Sequence, residues 1–263
     1  MIRHILILFS VVLLFSSCKQ QNNYKLVWSD EFDYTGLPNE LKWNYDTVGN
    51  AWGWGNNELQ YYTTGRKENA WVDNGKLHIT ARKEKGFPNA YTSARLTSKH
   101  KGDWLYGRFE VRAKLCRGIG IWPAIWMLPT ENKYGNWPHS GEIDMMEHVG
   151  YHPDTVYFTV HTGAFNGMQH TQKGGTVYLP KAEDAFYTYA LEWSETKCDF
   201  FVDDKKVFTF KKESNDSEKW PFDDPFHLLL NVAVGGNWGG IHGVDDAIFP
   251  QTMEVDYVRV YQK

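Results

Sequence analysis

The chain is poor in cysteine, with three in 263 residues. So few argue against a disulfide-stapled scaffold, and no Cys/His spacing suggests a zinc site. It has no basic excess either. Lys and Arg number 28 against 32 Asp and Glu, a formal net charge of −4, which argues against nucleic acid as a partner because phosphate binding needs a cationic surface. Beyond the first two dozen residues there is no linker, repeat, low-complexity stretch or long helical apolar period, so an array of small domains and a helical bundle are both disfavoured. What the chain has in quantity is aromatic side chains: 12 Trp, 15 Tyr and 15 Phe, 16% of all residues. That content excludes disorder, which is typical of chains without enough apolar surface to offset the entropy of ordering.

Residues 1–17, MIRHILILFSVVLLFSS, place one Arg ahead of an apolar run from Ile5 to Phe15 and end in the small residues Ser16 and Ser17. This is the order of a signal peptide, and the run is too short for a typical spanning helix. Cys18 directly after it resembles the modified cysteine of a bacterial lipobox. The resemblance implies lipidation at Cys18, export and a cell-envelope lipoprotein that meets a membrane only through its anchor, with plain secretion as the alternative. Residues 18–23 then read as a short tether and residues 24–263 as one domain, expected to work as a monomer. Cys116 and Cys198 are expected to be buried free thiols, since nothing in their spacing favours a bridge.

The apolar period in that domain is two. In Arg108–Leu115, Phe109, Val111, Ala113 and Leu115 alternate with charged residues, and in Val156–His161, Val156, Phe158 and Val160 alternate with Tyr157, Thr159 and His161. The runs Tyr187–Trp193 and Met253–Tyr261 are similarly extended. A hairpin is expected at Asp203–Asp204 between Phe200–Val202 and Val207–Phe210, and a turn near Asn39–Trp43. Such segments, separated by Gly, Asn, Asp and Pro, predict an antiparallel all-β sandwich or barrel.

The segment Ser140–Gly150, SGEIDMMEHVG, carries three acids among apolar residues. On a regular strand Glu142 and Asp144 share a face, their Cα atoms ~6.7 Å apart. Glu147 has the wrong parity and would enter the apolar layer, where an unpaired carboxylate is costly. One extra residue, a β-bulge at Met145–Met146, returns it to the acidic face. Three carboxylates on one face cannot all ionise normally, so one stays protonated while another is charged, as glycoside cleavage requires. A solvated acidic edge or a calcium site is the blander reading, disfavoured by the flanking hydrophobics.

GEIDMMEH resembles the signature Glu-x-Asp-x-x-Glu of glycoside hydrolase family 16 in its bulged form. WSDEF (Trp28–Phe32), GWGNNELQYYT (Gly53–Thr63), YTSARL (Tyr91–Leu96), YGRFEVRAK (Tyr106–Lys114), GIWPAIWML (Gly120–Leu128), WPFDDPFHLLLNVAVGGNWGG (Trp220–Gly240) and VDYVRVYQ (Val255–Gln262) are similar to laminarinases of that family. The resemblance implies a jelly-roll sandwich, concanavalin-like, of two curved antiparallel sheets with a substrate cleft on the concave face. It implies a retaining endo-β-1,3-glucanase with Glu142 as nucleophile, Asp144 as assisting carboxylate and Glu147 as general acid/base. By the same resemblance, Asn56, Glu58, Arg95, Trp122, Trp126, Trp137, His161 and Trp238 line the cleft and bind a β-glucan polysaccharide. No cofactor is implied for catalysis. A structural Ca²⁺ far from the cleft is implied at Glu31, the carbonyl of Gly75 and Asp256. Trp28, Trp43 and Trp193 read instead as core residues. Mixed-linkage β-glucan, an algal galactan, transglycosylation and a non-catalytic glucan-binding lipoprotein are the competing readings.

Overall fold

The computed structural model describes residues 23–263; the expected signal peptide and the expected lipidation site Cys18 lie outside the described residues. Eighteen strands follow in chain order: β1 (Lys25–Asp30), β2 (Asn44–Tyr45), β3 (Gln60–Tyr62), β4 (Ala70–Asp73), β5 (Lys76–Lys83) and β6 (Tyr91–Ser93). Next come β7 (Arg95–Thr97), β8 (Asp103–Trp104), β9 (Gly107–Lys114), β10 (Ile121–Pro129), β11 (Glu142–Glu147) and β12 (Thr155–His161). Last are β13 (Lys173–Tyr178), β14 (Tyr187–Trp193), β15 (Lys197–Val202), β16 (Lys205–Lys211), β17 (Phe226–Val234) and β18 (Gln251–Gln262). One sheet has the order β16-β15-β14-β9-β18-β5-β6-β3, with β1 beside β18 and β4 beside β5. The other runs β13-β12-β11-β10-β17-β7-β2, with β8 beside β17. Every ladder is antiparallel except β3 with β6. This is the sandwich that the period-two pattern predicts, in the jelly-roll form that the family resemblance implies.

Alternation decides which side chains meet between the sheets. In β9 the burial alternates strictly: Phe109, Val111 and Ala113 enter the core. On the outer side Arg108 donates to Glu110 at 2.6 Å and to Glu192 at 2.9 Å. Facing them from the second sheet are Ile125, Met127, Ile143, Phe158, Val160, Leu228, Leu230 and Val232. Aromatic edges lock the layers together, Trp193 against Phe226 at 5.2 Å and Phe158 against Phe200 at 6.1 Å. The run FHLLLNVAV of β17 is buried along its whole length, as a central strand covered on both faces must be.

The expected turns are present. Asp203–Asp204 joins β15 to β16, with Asp203 in the left-handed region at φ 51°. The amides of Lys42 and Trp43 both donate to the Asn39 carbonyl at 2.9 Å. Cys116 and Cys198 are buried free thiols. Burial raises both of their pKa values, so they pack as small apolar groups. Trp43 and Trp193 are core residues, and Trp28 packs against the core half-buried, its ring edge-on to Trp43 at 5.5 Å. Phe109 lies fully buried between Trp104 and Trp193. Phe109→Ala should therefore destabilise the fold by about 3–5 kcal/mol. Urea denaturation checks this, and an unchanged midpoint would contradict the assignment of that ring to the core.

Candidate active site

β11 lies between β10 and β12 near the middle of the smaller sheet. Its register with β12 pairs Asp144 with Thr159 and Glu147 with Tyr157. Three residues on β11 thus span two on β12, and the extra one is accommodated at Met145–Met146. Both methionines are fully buried, with Ile143 beside them in the core. The expected bulge is what turns Glu147 back to the side of Glu142 and Asp144. The same registers bring further side chains onto that face, because directly paired residues point the same way. Tyr157, Glu147, Ala124, Asn231 and Arg95 form one row across the sheet. Thr159, Asp144, Trp126 and Leu229 form the next, and His161 pairs with Glu142 in the third.

The acids differ in environment. Asp144 is buried at 2% exposure, whereas Glu142 remains partly open to solvent. Burial pushes the Asp144 carboxyl well above the usual carboxylate range, and the charge of Glu142 and a hydrogen bond shared with it push the same way. Burial likewise raises Glu147, reinforced by the charge of Asp144. His161 and the Trp122 N–H, which donates to Glu147 Oε1 at 3.1 Å, pull it partly back. The Gly167 amide donates to His161 Nδ1 at 3.2 Å. A neutral His161 then carries its proton on Nε2, which faces Asp144 Oδ2 at 3.4 Å and Glu142 Oε1 at 3.9 Å. Glu142, Asp144 and His161 are the one grouping of three His, Cys, Asp or Glu ligand atoms within 4.8 Å among the described residues. A hydrogen bond between Asp144 and Glu142 draws two of the three together.

Aromatic rings flank the acids on both sides. Trp122 stands edge-on to Trp238 at 5.4 Å, and Trp238 edge-on to Tyr157 at 4.9 Å. Trp137, 42% exposed, lies 5.8 Å from the His161 ring. Trp126 donates to Asn231 Oδ1 at 2.7 Å. The guanidinium of Arg95 is sandwiched between Trp126 at 4.6 Å and Trp54 at 4.4 Å, with Asp46 Oδ2 3.0 Å from its Nε. Glu58 accepts from Asn56 at 3.1 Å and from Gln60 at 2.6 Å, and burial raises its pKa. Gly236 separates Glu58 from Trp122. At φ +80° a Cβ there would come within 3.3 Å of both side chains, so only glycine lets this loop close over the sheet.

All eight cleft residues expected from the sequence therefore belong to one connected surface around the acids. Trp54, Asp46, Tyr157 and Asn231, which the sequence pattern does not mark as cleft residues, join it. Asn231 does carry one signal, being the lone amide in an otherwise apolar strand interior, whereas Trp54 and Asp46 reach the site through loop geometry. The expected calcium ligands sit differently. Glu31 accepts from Arg259 at 3.0 and 2.8 Å, Asp256 is paired with Arg112 at 2.5 Å, and Gly75 lies in the turn between β4 and β5. Both carboxylates already have a cationic partner, so an ion that prefers six to eight oxygens would have to displace one. The donor set as arranged does not fit calcium.

A sandwich whose open face carries three neighbouring carboxylates between indole walls is built as a carbohydrate-cleaving hydrolase. The profile of Glycosyl hydrolases family 16 matches residues 57–259, and the chain belongs to that family. It is 53% identical to a "Beta-glucanase" of Rhodothermus marinus over 247 residues, 91% of this chain and 86% of the relative. The crystal structure of the laminarinase from Rhodothermus marinus superposes with a TM-score of 0.88 at 53% identity, covering 91% of this chain and 97% of that one. A "non-specific endo-beta-1,3(4)-glucanase" of the same family superposes at 0.88 with 48% identity, covering 92% of each chain.

Raised carboxyl pKa values set the sign of a stability effect. The folded state holds protons on Asp144 and Glu147 that the unfolded chain releases, so these residues destabilise the fold progressively as pH climbs above the ordinary carboxylate range. Asp144→Asn should raise the melting temperature at pH 7 and flatten its decline between pH 4 and 8. A melt lower than that of the parent at pH 7 would contradict the burial argument.

Proposed function

We propose that the chain is a retaining endo-β-1,3-glucanase acting on laminarin-like glucans. The observation that carries this reading is the bulged strand. It sets Glu142, Asp144 and Glu147 on one face and makes the last two hard to ionise. The roles follow from the environments. Glu142, partly exposed, attacks the anomeric carbon as the carboxylate while protonated Glu147 delivers its proton to the departing glycosidic oxygen. With that proton gone, Glu147 takes one from water, which cleaves the glycosyl-enzyme at Glu142 and restores both groups. Asp144 serves throughout by sharing a proton with Glu142, while His161 holds Asp144 from the other side. Trp122 steadies Glu147. Sugar rings present C–H faces to Trp122, Trp126, Trp137 and Trp238, and their hydroxyls meet Asn56, Glu58 and Arg95.

The names of the relatives support β-1,3-glucan as substrate. The broad 1,3(4) specificity named for one of them favours mixed-linkage β-glucan as a secondary substrate. Residues 1–18 support export and anchoring at Cys18, which incorporation of labelled palmitate, lost in Cys18→Ser, would check.

External azide separates the two catalytic roles. Glu142→Gly should lose turnover on laminarin and, with azide and an activated glucoside, yield the α-glucosyl azide, because azide attacks in place of the missing nucleophile. Glu147→Ala should lose roughly 10²–10⁴-fold in rate on laminarin and yield the β-azide. The same anomer from both variants, or parent-level turnover by either, would overturn the assignment. Reducing-sugar release from laminarin, lichenan and agarose tests the substrate, and inactivity on laminarin would exclude the leading reading.

A further inference from the structure

On the β12 side of the acids the aromatic wall continues beyond the cleft residues that the sequence marks. Tyr157, edge-on to Trp238, lies nearly parallel to His152 with ring centroids 6.4 Å apart. The Tyr157 hydroxyl and His152 Nδ1 share a hydrogen bond of 2.5 Å. Tyr151 then meets His152 edge-on at 4.6 Å and His242 edge-on at 4.8 Å. One line of touching rings therefore runs from Trp122, which donates to Glu147, through Trp238 and Tyr157 to the protein surface. Tyr151 is half-buried, whereas His152 and His242 are exposed. None of these three belongs to the core or takes part in the hydrolytic steps.

The strand registers give the wall a direction. Trp126 pairs with Asp144 on one flank of β11, and Tyr157 pairs with Glu147 on the other. Arg95, Trp54 and Trp126 stack together on the first flank. Glu147 hands its proton to the departing oxygen, so the sugar that carries this oxygen lies toward Tyr157 and the rings beyond it. We propose that Tyr151, His152 and His242 complete a platform for the leaving segment of the glucan, past the cleaved bond. The inference rests on the reading of Glu147 as proton donor and of β-1,3-glucan as substrate.

The chemistry of the platform suits a sugar chain. Ring faces and edges take the C–H faces of pyranoses, while each imidazole offers a donor and an acceptor to the hydroxyls. Its two supporting loops are braced before any ligand arrives. In the first, the Gly150 amide donates to the Ile121 carbonyl and the His152 amide to the Val149 carbonyl, both at 2.9 Å. In the second, Asn237 donates to Asn56 at 2.7 Å, Gly240 to Gly236 at 3.0 Å and Gly243 to Gly240 at 2.9 Å. A surface already ordered loses little entropy when it binds. The platform is also tied to the chemistry by the chain itself, because Tyr151 follows within a few residues of Glu147.

Laminarihexaose carrying ¹³C in its reducing-end glucose tests the platform, with the full-length parent, His152→Ala, His242→Ala and His152→Phe. Mass spectrometry of the labelled fragments locates each cleavage. The parent should release labelled fragments of two or more sugars in preference to labelled glucose, since a longer leaving segment covers more rings. Each alanine variant should raise the share of labelled glucose by about 3- to 10-fold, the loss of one ring contact. Its kcat/KM on the hexaose should fall by a similar factor relative to that on an aryl laminaribioside, whose leaving group is too short to cover the outer rings. His152→Phe keeps a ring and should restore the parent pattern. If the alanine variants cleave with the parent pattern and differ only in melting temperature, the rings are packing and the proposal fails. A phenylalanine variant that behaves like alanine would equally overturn it. Inactivity of the parent on both the hexaose and laminarin would instead overturn the glucanase reading, so the two failures are distinct.

Discussion

Three carboxylates are held side by side on a strand too buried for all of them to carry charge. Left to themselves they would repel and tear the strand from its neighbours. The fold resolves the conflict by making Asp144 and Glu147 hard to ionise, their carboxyls pushed well above the usual range. The same arrangement that costs stability supplies an acid and a nucleophile at one pH. The surrounding structure is organised to hold this state. Met145 and Met146 anchor the bulge in the core, and Trp122 and His161 steady the acids from the cleft side.

The aromatic residues divide between two tasks that obey different rules. Phe109, Phe158, Phe200, Phe226 and Trp193 fill the space between the sheets, edge against face, and gain by exclusion of water. Trp122, Trp126, Trp137 and Trp238 stand on the other side of the smaller sheet, partly exposed, with ring faces or edges open to a ligand. Strand parity alone separates Trp122 and Trp126 from Ile121, Ile125 and Met127 on the same strand. Arg95 between Trp54 and Trp126 shows a further economy: a single guanidinium stacks on two indoles and leaves its edge toward Asp46.

Much of this architecture is legible in the amino-acid order alone. Period two in Phe109–Leu115 and Val156–His161 marks strands and their buried faces, because alternation is a local property of extended backbone. The parity of Glu147 demands a bulge, and the bulge is there. Asn231 and Trp54 are harder to read. Asn231 sits in a run that reads as uniformly buried, and its amide matters only because β10 lies alongside and presents Trp126. Trp54 depends on left-handed turns in the Gly53–Asn57 loop. The suggested calcium ligands show what residue types leave open: they identify donors, but not the arginines that pair with two of them.

The sequence by itself determined the strand pattern, the inward and outward faces and the three acids, since each follows from spacing along a single extended segment. Only the tertiary structure decided how deeply Asp144 is shielded and which tryptophans face the cleft loops. Burial and the distance between charges, on which this chemistry depends, do not exist until the sheets have closed.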